Sequence, residues 1–256
     1  MSKQIPFRYD FVGSFLRPAN LKAAREGFEN GKISAYELKA VEDKEIERLI
    51  NKQKELGYHV ITDGEFRRAT WHLDFMWGFD GVAHEKTKTG LPFHGEDAMI
   101  DDTYLCGKVG LSKVHPFVEH FKFVKQFEDE NTVAKQTIPA PAQFIEQMIM
   151  PFALENTSKY YDSTHKLAED IANGYKKVIA DLYDAGCRNL QLDDCSWGML
   201  VDPRAEELFG TDKKGLKDIQ ELLVEINNLA IEDKPNDMTI TTHVCRGNFH
   251  STYASA

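Results

Sequence analysis

Apolar positions along the chain follow two alternating spacings, one typical of amphipathic helices and the other of short buried strands. Intervals of three and four residues predict helices, whereas compact apolar runs bounded by Gly, Pro or acidic residues predict strands. The predicted helices are residues 36–56, 115–127, 164–185 and 216–229. The predicted strands are residues 9–12, 58–62, 104–109, 132–138, 188–193 and 238–244. Strands and helices that alternate in this way favour parallel βαβ units.

One long segment, residues 71–102, breaks this periodicity. It contains Gly, His and Lys residues without helical or strand spacing, so we predict a loop excursion within the domain. The sequence shows no repeat or linker that would divide the chain, and we expect residues 1–256 to form a single domain.

Six strands in βα order, with polar residues gathered at their ends, predict an α/β fold of the (β/α)₈ TIM-barrel type. Two units are missing from the count, so the expectation is a barrel domain truncated after strand six and incomplete at its C-terminus. The competing architecture is an open doubly wound sheet. Its dinucleotide-binding turn needs several glycines, whereas the first turn here has only Gly13 before Ser14 and Phe15, which favours the barrel.

Composition and charge argue against a nucleic-acid-binding protein and against a membrane protein. The 256 residues carry a net charge of −10, and because acidic and basic residues are interspersed, the clustered positive charge of a nucleic-acid-binding surface is not expected. No apolar run approaches the roughly 18 residues of a membrane span, and the N-terminus lacks the pattern of a secretory leader. We therefore predict a cytoplasmic protein that binds neither nucleic acid nor membrane, and we make no prediction of its oligomeric state.

Four cysteines without close pairing are typical of reduced thiols rather than of a disulfide framework. Cys106 and Cys187 are expected to be buried as small apolar side chains. Cys195, beside an acidic pair, is expected to be an inert thiol. Cys245 differs from these three, because it lies two residues after His243 at the end of the last predicted strand.

His243 and Cys245 share one face of an extended strand, since side chains two residues apart point the same way. An imidazole and a thiol together supply half of a tetrahedral zinc site. Glu65, Asp193 and Asp194 also follow predicted strands, where the active sites of barrels assemble. Simpler interpretations of these acids remain open: Glu65 as a solvated turn residue, and the two aspartates as the start of the following helix.

Four segments carry a resemblance to a known family. They are Val12-Gly13-Ser14-Phe15, Asp63-Gly64-Glu65, Leu190-Gln191-Leu192-Asp193 and Thr242-His243-Val244-Cys245. Their order and placement resemble the C-terminal catalytic barrel of cobalamin-independent methionine synthase, most closely its shorter single-barrel relatives. The resemblance implies a zinc-dependent methyltransferase that moves a methyl group from a methyltetrahydrofolate-type donor, as a polyglutamate, to the thiol of homocysteine and so produces methionine.

The resemblance also implies roles for individual residues. His243 and Cys245 match two of the zinc ligands of the family, whose other two ligands, a glutamate and a second cysteine, are expected beyond residue 256. Glu65 and Asp193 match the acids that hold the substrate ammonium group, and Ser14 matches the contact to the substrate carboxylate. The candidate proton donor of the family, a histidine, is also expected beyond residue 256, so no catalytic acid is assigned.

The chain departs from the family after Pro141. Where the family has a tryptophan that stacks on the pterin, residues 143–147 contain no tryptophan, and this leaves the identity of the methyl donor open. Trp71, Trp77 and Trp197 are alternative flat surfaces, although core or loop packing is the more common role of tryptophan.

Two other function classes remain open at this point. A metal-dependent hydrolase built on a barrel would use His243 with carboxylates and a bound water, although such sites favour paired histidines. A non-catalytic relative that binds thiols or amino acids would keep the pocket without the chemistry. All three hypotheses predict small molecules, with homocysteine or a related thiol and a folate leading, as the binding partners.

Overall fold

The protein has a mixed α/β fold. The structure is a computed structural model that describes residues 10–87, 91–93, 96–98, 101–248 and 253–255. The helices within these residues are α1 (Ala19–Glu29), α2 (Ala35–Glu55), α3 (Leu73–Met76), α4 (Pro116–Lys125), α5 (Pro141–Ile149), α6 (Pro151–Thr157), α7 (Thr164–Asp184), α8 (Ser196–Leu200), α9 (Ala205–Phe209) and α10 (Lys213–Ile231). The strands are β1 (Val60–Ile61), β2 (Asp80–Glu85), β3 (Leu91–Phe93), β4 (Glu96–Ala98), β5 (Asp102–Gly110), β6 (Val133–Ala134), β7 (Gln136–Pro139), β8 (Asn189–Asp194) and β9 (Thr239–Val244).

Parallel strands follow one another in chain order, as the sequence predicts. β1 pairs with β6, and β7, β8 and β9 form a three-stranded sheet in that order. An isolated parallel bridge between Ser14 and Gly64 adds one further neighbour beside β1. Within the described residues these strands form separate short sheets, and closure into a barrel is not seen. The parallel βαβ construction is therefore confirmed, while the closed barrel is not.

The strand predicted at residues 104–109 exists but does not belong to the parallel series. It forms part of β5, which pairs antiparallel with β2. Gly81 lies at the irregularity of this ribbon, with a φ of +79°, and a Cβ there would lie 2.2 Å from the Lys108 carbonyl oxygen. The prediction of six parallel strands is wrong at this point: buried and more exposed positions alternate along β5, as in an antiparallel strand with one solvated face, whereas the parallel strand β8 is buried throughout.

The segment 71–102, predicted to be a loop, contains α3, β2, β3, β4 and the start of β5. β3 and β4 form a second antiparallel pair. The predicted strand at 9–12 is also corrected, because residues 10–12 are not in a strand and residue 9 lies outside the described residues. Pairing in this part of the chain begins instead at Ser14.

The long helices lie where the hydrophobic spacing predicts them. α2 begins with a capping box, in which Ser34 and Glu37 exchange hydrogen bonds, and Gly57, with a φ of +79°, follows its end. α7 packs against both α5 and α10. The Tyr175 hydroxyl on α7 donates a hydrogen bond of 2.9 Å to the Pro139 carbonyl oxygen, which ties this helix to the C-terminal end of β7. The helix layer therefore supports the sheet at the end where the polar residues gather.

α1, α5 and α6 were not predicted from the sequence. α5 and α6 both begin with a proline in the first turn. Proline suits this position because the N–H groups of the first turn have no hydrogen-bond acceptor within the helix. Among the described residues, no helix combines the length and the apolar character that crossing a membrane requires.

Candidate functional site

The C-terminal ends of neighbouring parallel strands bring the predicted site residues together. In the three-stranded sheet, Asp193 at the end of β8 lies opposite Pro139 on β7 and opposite His243 on β9. Glu65 follows β1, and its side chain reaches Thr137 on β7. The structure thus gathers three acidic and imidazole side chains that are distant in sequence at one edge of the fold.

The turn after β1 aims Glu65 inward. Glu65 has a φ of +61° and is the non-glycine residue with a positive φ among those the structure describes. Its backbone N–H donates a hydrogen bond of 2.8 Å to the Asp63 carboxylate, and Gly64 before it has a φ of +67°. A left-handed conformation is costly for a residue with a side chain, and such residues cluster at functional sites. Glu65 is 5% exposed, so the solvated-turn interpretation is wrong.

The guanidinium group of Arg68 forms an ion pair with the buried Glu65 carboxylate. Its guanidinium lies 3.2 Å from Glu65 Oε1, and its side chain is 1% exposed. The same guanidinium donates hydrogen bonds to the Thr137 carbonyl oxygen and to Thr137 Oγ1, at 2.6 and 2.8 Å. Thr137 Oγ1 in turn donates to Glu65 Oε1 at 3.1 Å. These three residues form a closed polar network that fixes the carboxylate in one orientation.

Asp193 is the second buried acid of the site. It is 5% exposed, and its Oδ1 accepts a hydrogen bond of 2.7 Å from the Gln191 amide. Burial, and secondly the nearby Glu65 charge, raise the pKa of Asp193 to about 7. The two carboxylates therefore repel each other, and a ligand cation bound between them would favour the charged form of both.

Ser14 lies next to these acids on the neighbouring chain segment. Its side chain is exposed, its backbone bridges Gly64, and the following residue, Phe15, donates a hydrogen bond of 3.1 Å to the Gly64 carbonyl oxygen. Gly13 before it has a φ of +128°, and a Cβ there would approach Thr137 to 2.9 Å. Ser14 is therefore placed beside the turn that carries Glu65, with its side chain exposed.

Lys135 is a further charged residue beneath the site that sequence reasoning missed. Its side chain is fully buried, and its ammonium group lies 2.9 Å from the Asp10 carboxylate and 3.0 Å from Gln191 Oε1. Gln191 Nε2 also donates to the Val12 carbonyl oxygen at 2.7 Å. This network joins the N-terminal segment to the strand that carries Asp193, and so sets the position of Asp193 indirectly.

His243 and Cys245 lie at the end of β9, both half-buried. Hydrogen bonding to Cys195, and then to His243, holds the pKa of the Cys245 thiol well below its usual range. Hydrogen bonding to Cys245, and then the Asp193 charge, raise the pKa of His243. A thiolate beside an imidazole is a donor pair that zinc prefers, so these two residues fit a zinc ion as donors. Within the described part of the chain, however, no group of three or more His, Cys, Asp or Glu residues could hold a metal ion.

Cys195, expected to be an inert thiol beside the acidic pair, lies against His243 and Cys245. Its sulfur is 2.8 Å from the Cys245 sulfur. Cys187 is buried as predicted, and burial raises the pKa of its thiol to about 12. Cys106 is exposed on β5, so the prediction of burial is wrong for that residue.

Asp194 has a structural role at the start of the helix that follows β8. It is completely buried, and its Oδ1 accepts a hydrogen bond of 3.0 Å from the Ser196 N–H in the first turn after β8. Its Oδ2 lies 3.4 Å from the Asn227 amide nitrogen of α10. Asp194 thus satisfies the start of α8, whereas Asp193 beside it points to the candidate site.

Glu146 on α5 was not predicted from the sequence. It is 2% exposed, and its Oε2 accepts a hydrogen bond of 3.1 Å from the Gln143 amide, while its Oε1 has no hydrogen-bond partner. Burial raises the pKa of Glu146 to about 8. Gln143 Oε1 accepts from the Cys195 N–H at 3.2 Å, so a carboxyl group that is neutral at pH 7 supports the segment that carries Cys195.

We expect Glu146→Gln to raise stability at alkaline pH. The folded-state pKa lies above the ordinary value of 4.5, so the wild-type stability due to this group is fully present below about pH 4.5 and is lost as the pH rises through 8. The stability gap in favour of the glutamine variant should grow across that window to the order of a few kcal/mol. Urea unfolding at several pH values measures it. Exposed Glu155→Gln is the control, and a gap that does not change with pH would contradict the expectation.

The tryptophans considered as stacking surfaces are engaged in packing. The Trp77 ring stacks on His84 at 3.8 Å between centroids and donates a hydrogen bond of 2.9 Å to Thr103. The Trp71 ring contacts His72 at 4.4 Å, and Trp197 packs against the core. Packing therefore accounts for Trp77 and Trp197, whereas Trp71 is partly buried beside His72.

Comparison with known proteins shows one consistent family. The profile described as "Cobalamin-independent synthase, Catalytic domain" matches residues 9–89. The "Uncharacterized protein YxjH" of Bacillus subtilis (strain 168) is 38% identical over 255 residues, which cover 99% of this chain and 65% of that protein. A crystal structure from Listeria monocytogenes, described as a candidate vitamin-B12-independent methionine synthase, is 40% identical with a TM-score of 0.75, and the match covers 95% of this chain and 67% of that one.

A more distant likeness reaches a named enzyme. The 5-methyltetrahydropteroyltriglutamate–homocysteine methyltransferase of Thermotoga petrophila is 22% identical over 241 residues, which cover 93% of this chain and 30% of the enzyme. The chain thus spans about two thirds of the length of its more similar relatives and under a third of this enzyme.

Proposed function

The chain belongs to the cobalamin-independent methionine synthase catalytic domain family, and we propose that it transfers a methyl group to the thiol of an amino acid. Homocysteine is the leading acceptor, methionine the product, and a methyltetrahydrofolate-type molecule the leading donor. The observation that carries the proposal is the pair of buried acids, Glu65 and Asp193, next to His243 and Cys245 at adjacent strand ends.

The acid pair suits the amino end of the acceptor. An ammonium group in a buried site is costly unless it is paired and hydrogen-bonded. Glu65 and Asp193 offer it two carboxylates, and Arg68 keeps the first of them oriented. Ser14, exposed beside them, can donate its hydroxyl to the carboxylate of the same ligand. An amino acid is therefore the ligand class that matches the local charges.

The thiol end of the acceptor then faces His243 and Cys245. These two residues would hold the zinc ion, with further donors that complete its coordination. When bound, zinc converts a thiol to a thiolate near neutral pH and so supplies the nucleophile. The protein's own residues fix the ammonium end of the acceptor and so direct its sulfur toward the metal ligands, which adds positioning to activation.

The architecture that we propose for the full fold is a (β/α)₈ barrel. The support is the chain order of the parallel pairs: the Ser14 bridge beside β1, the pair of β1 with β6, and the separate sheet of β7, β8 and β9. Active sites of such barrels assemble at the C-terminal ends of the strands. Glu65 and Cys245 follow strands and Asp193 lies at the end of β8, which agrees with a barrel active site.

Zinc analysis of the full natural chain tests the proposed function. We expect about one zinc ion per chain, with Cys245→Ser losing both the metal and methyl transfer to homocysteine. Cys106→Ser changes an exposed thiol on the β2–β5 ribbon and should retain both. Zinc content that is the same in the Cys245→Ser variant and the wild type would overturn the assignment of the ligand. Zinc-dependent ester or phosphate hydrolysis without methyl transfer would favour a hydrolase instead.

A further inference from the structure

Two cysteines of the site lie with their sulfur atoms in direct contact. The sulfur atoms of Cys195 and Cys245 are 2.8 Å apart, whereas a disulfide bond is about 2.05 Å long. Forming that bond would therefore require the two atoms to approach by less than about 1 Å. Both cysteines are free thiols in the structure.

The backbone holds the two sulfurs together. β8 and β9 are parallel neighbours with Asp194 opposite Val244, and the Cys245 N–H donates a hydrogen bond of 3.1 Å to the Asp194 carbonyl oxygen. The Cys195 N–H donates to Gln143 Oε1 at 3.2 Å, which anchors the other side of the pair. The strand register and these two hydrogen bonds thus place the two cysteine backbones side by side, from where both sulfur atoms meet.

Small oxidants can reach the pair. Cys195 and Cys245 are both half-buried, and Val244 beside them is 55% exposed. Cys187, in contrast, is completely buried, and its sulfur donates a weak hydrogen bond to the Asn189 carbonyl oxygen at 3.5 Å. Cys106 is exposed but lies on β5 of the antiparallel ribbon. The chain therefore contains two matched controls, one buried thiol and one exposed thiol.

We propose that Cys195 and Cys245 form a reversible intramolecular disulfide when a peroxide oxidises the protein. The sulfur of Cys245 attacks one peroxide oxygen and the O–O bond breaks; the hydroxide that leaves takes one proton, from the thiol or from solvent, and becomes water. Cys245 is now a sulfenic acid, and the peroxide has been reduced. The sulfur of Cys195 then attacks the sulfur of Cys245, the S–O bond breaks, and a second water leaves with the Cys195 proton.

The disulfide also has a functional consequence, which rests on the proposed function. A cysteine in a disulfide has no thiolate to offer a metal, so the oxidised protein should not hold zinc through Cys245. Dithiothreitol would restore both thiols and, with them, zinc binding. Oxidation would thus switch the proposed methyltransferase off, and reduction would switch it on again.

Peptide mapping of the full natural chain tests the disulfide itself. The protein is stripped of metal with a chelator, treated with hydrogen peroxide and alkylated, then digested with trypsin without reduction. Arg204 and Lys217 lie between the two cysteines, so they fall in separate peptides. We expect one cross-linked species that contains both peptides, lighter than their sum by two hydrogen atoms, and its loss after dithiothreitol. Cys106→Ser should give the same species and Cys195→Ser none.

Other outcomes would overturn the proposal. A cross-link that includes Cys106 or Cys187, a cross-link between two chains, or no cross-link in the wild type would each do so. Zinc loss in Cys195→Ser equal to that in Cys245→Ser would make Cys195 a metal ligand rather than a resolving thiol. Because the mapping needs neither zinc nor methyl transfer, a failed disulfide and a failed methyltransferase assignment are distinguishable.

Discussion

Arg68→Met is expected to lower the free energy of unfolding by about 3 to 5 kcal/mol, the usual cost of removing one partner of a buried ion pair. The Arg68 side chain is 1% exposed and lies 3.2 Å from Glu65 Oε1. It also donates to the Thr137 carbonyl oxygen and Oγ1, and its guanidinium lies 4.7 Å from the Phe117 ring centroid. Methionine retains the apolar stem, so the main loss is the charge and the hydrogen bonds. Urea unfolding at pH 7 measures the difference.

Two further variants separate the buried charge from general damage. Arg188→Met breaks the more exposed ion pair with Asp237 and should cost no more than about 1 kcal/mol. The double variant Arg68→Met with Glu65→Gln should cost less than the sum of the two single variants, because no uncompensated carboxylate remains buried. Equal costs for Arg68→Met and Arg188→Met would mean that Glu65 does not depend on Arg68.

Hydrophobic periodicity correctly predicted the helices and strands whose own apolar pattern matches the contacts that they make in the fold. The helices at α2, α7 and α10 have one apolar face each, and the strands at β8 and β9 are compact apolar runs, so their positions could be predicted closely. The β2–β5 ribbon was not predicted, because a short apolar run indicates a strand without identifying its partner; the alternating burial of β5 is the feature that distinguishes it from the parallel strands.

The residues of the site also fall into two groups, those that the sequence predicts and those that it does not. Glu65, Asp193, His243 and Cys245 lie at or just after the ends of predicted strands, so the rule that polar residues meet at strand ends was enough to propose them together. Arg68 and Cys195 lie near them in sequence but owe their roles to contacts across the fold, with Thr137 and with Cys245. The local sequence does not indicate the contact of Cys195 with Cys245. A signal was present only for Arg68, three residues after Glu65 in a glycine-containing turn.

Asp193→Asn is expected to weaken the binding of methionine, the proposed product, by about 100-fold. Truncating one partner of a buried, hydrogen-bonded charge pair costs about 2 to 5 kcal/mol, and tenfold in affinity corresponds to about 1.4 kcal/mol. Methionine is preferable to a thiol as the probe, because its sulfur does not compete for metal as a thiolate. Isothermal titration calorimetry of the full natural chain gives the dissociation constants.

The raised pKa of Asp193 also predicts that the affinity for methionine depends on pH. Burial and the Glu65 charge raise the pKa of Asp193 to about 7, so the free protein loses the Asp193 charge as the pH falls below that value. The ammonium group of methionine stays charged over this range. Methionine should therefore bind more tightly as the pH rises from about 6 to 8, and Asp193→Asn should remove that rise.

A ligand without the amino group provides the decisive control. The affinity for 4-(methylthio)butanoate, which has the same sulfur and carboxylate, should change by less than about threefold in Asp193→Asn, since no ammonium group is left unpaired. Glu65→Gln should show the same contrast, and the two substitutions together should cost less than the sum of their separate effects because both acids face one ammonium group. Equal losses for the two ligands would mean that Asp193 shapes the pocket without holding the amine, and the amino-acid pocket would have to lie elsewhere.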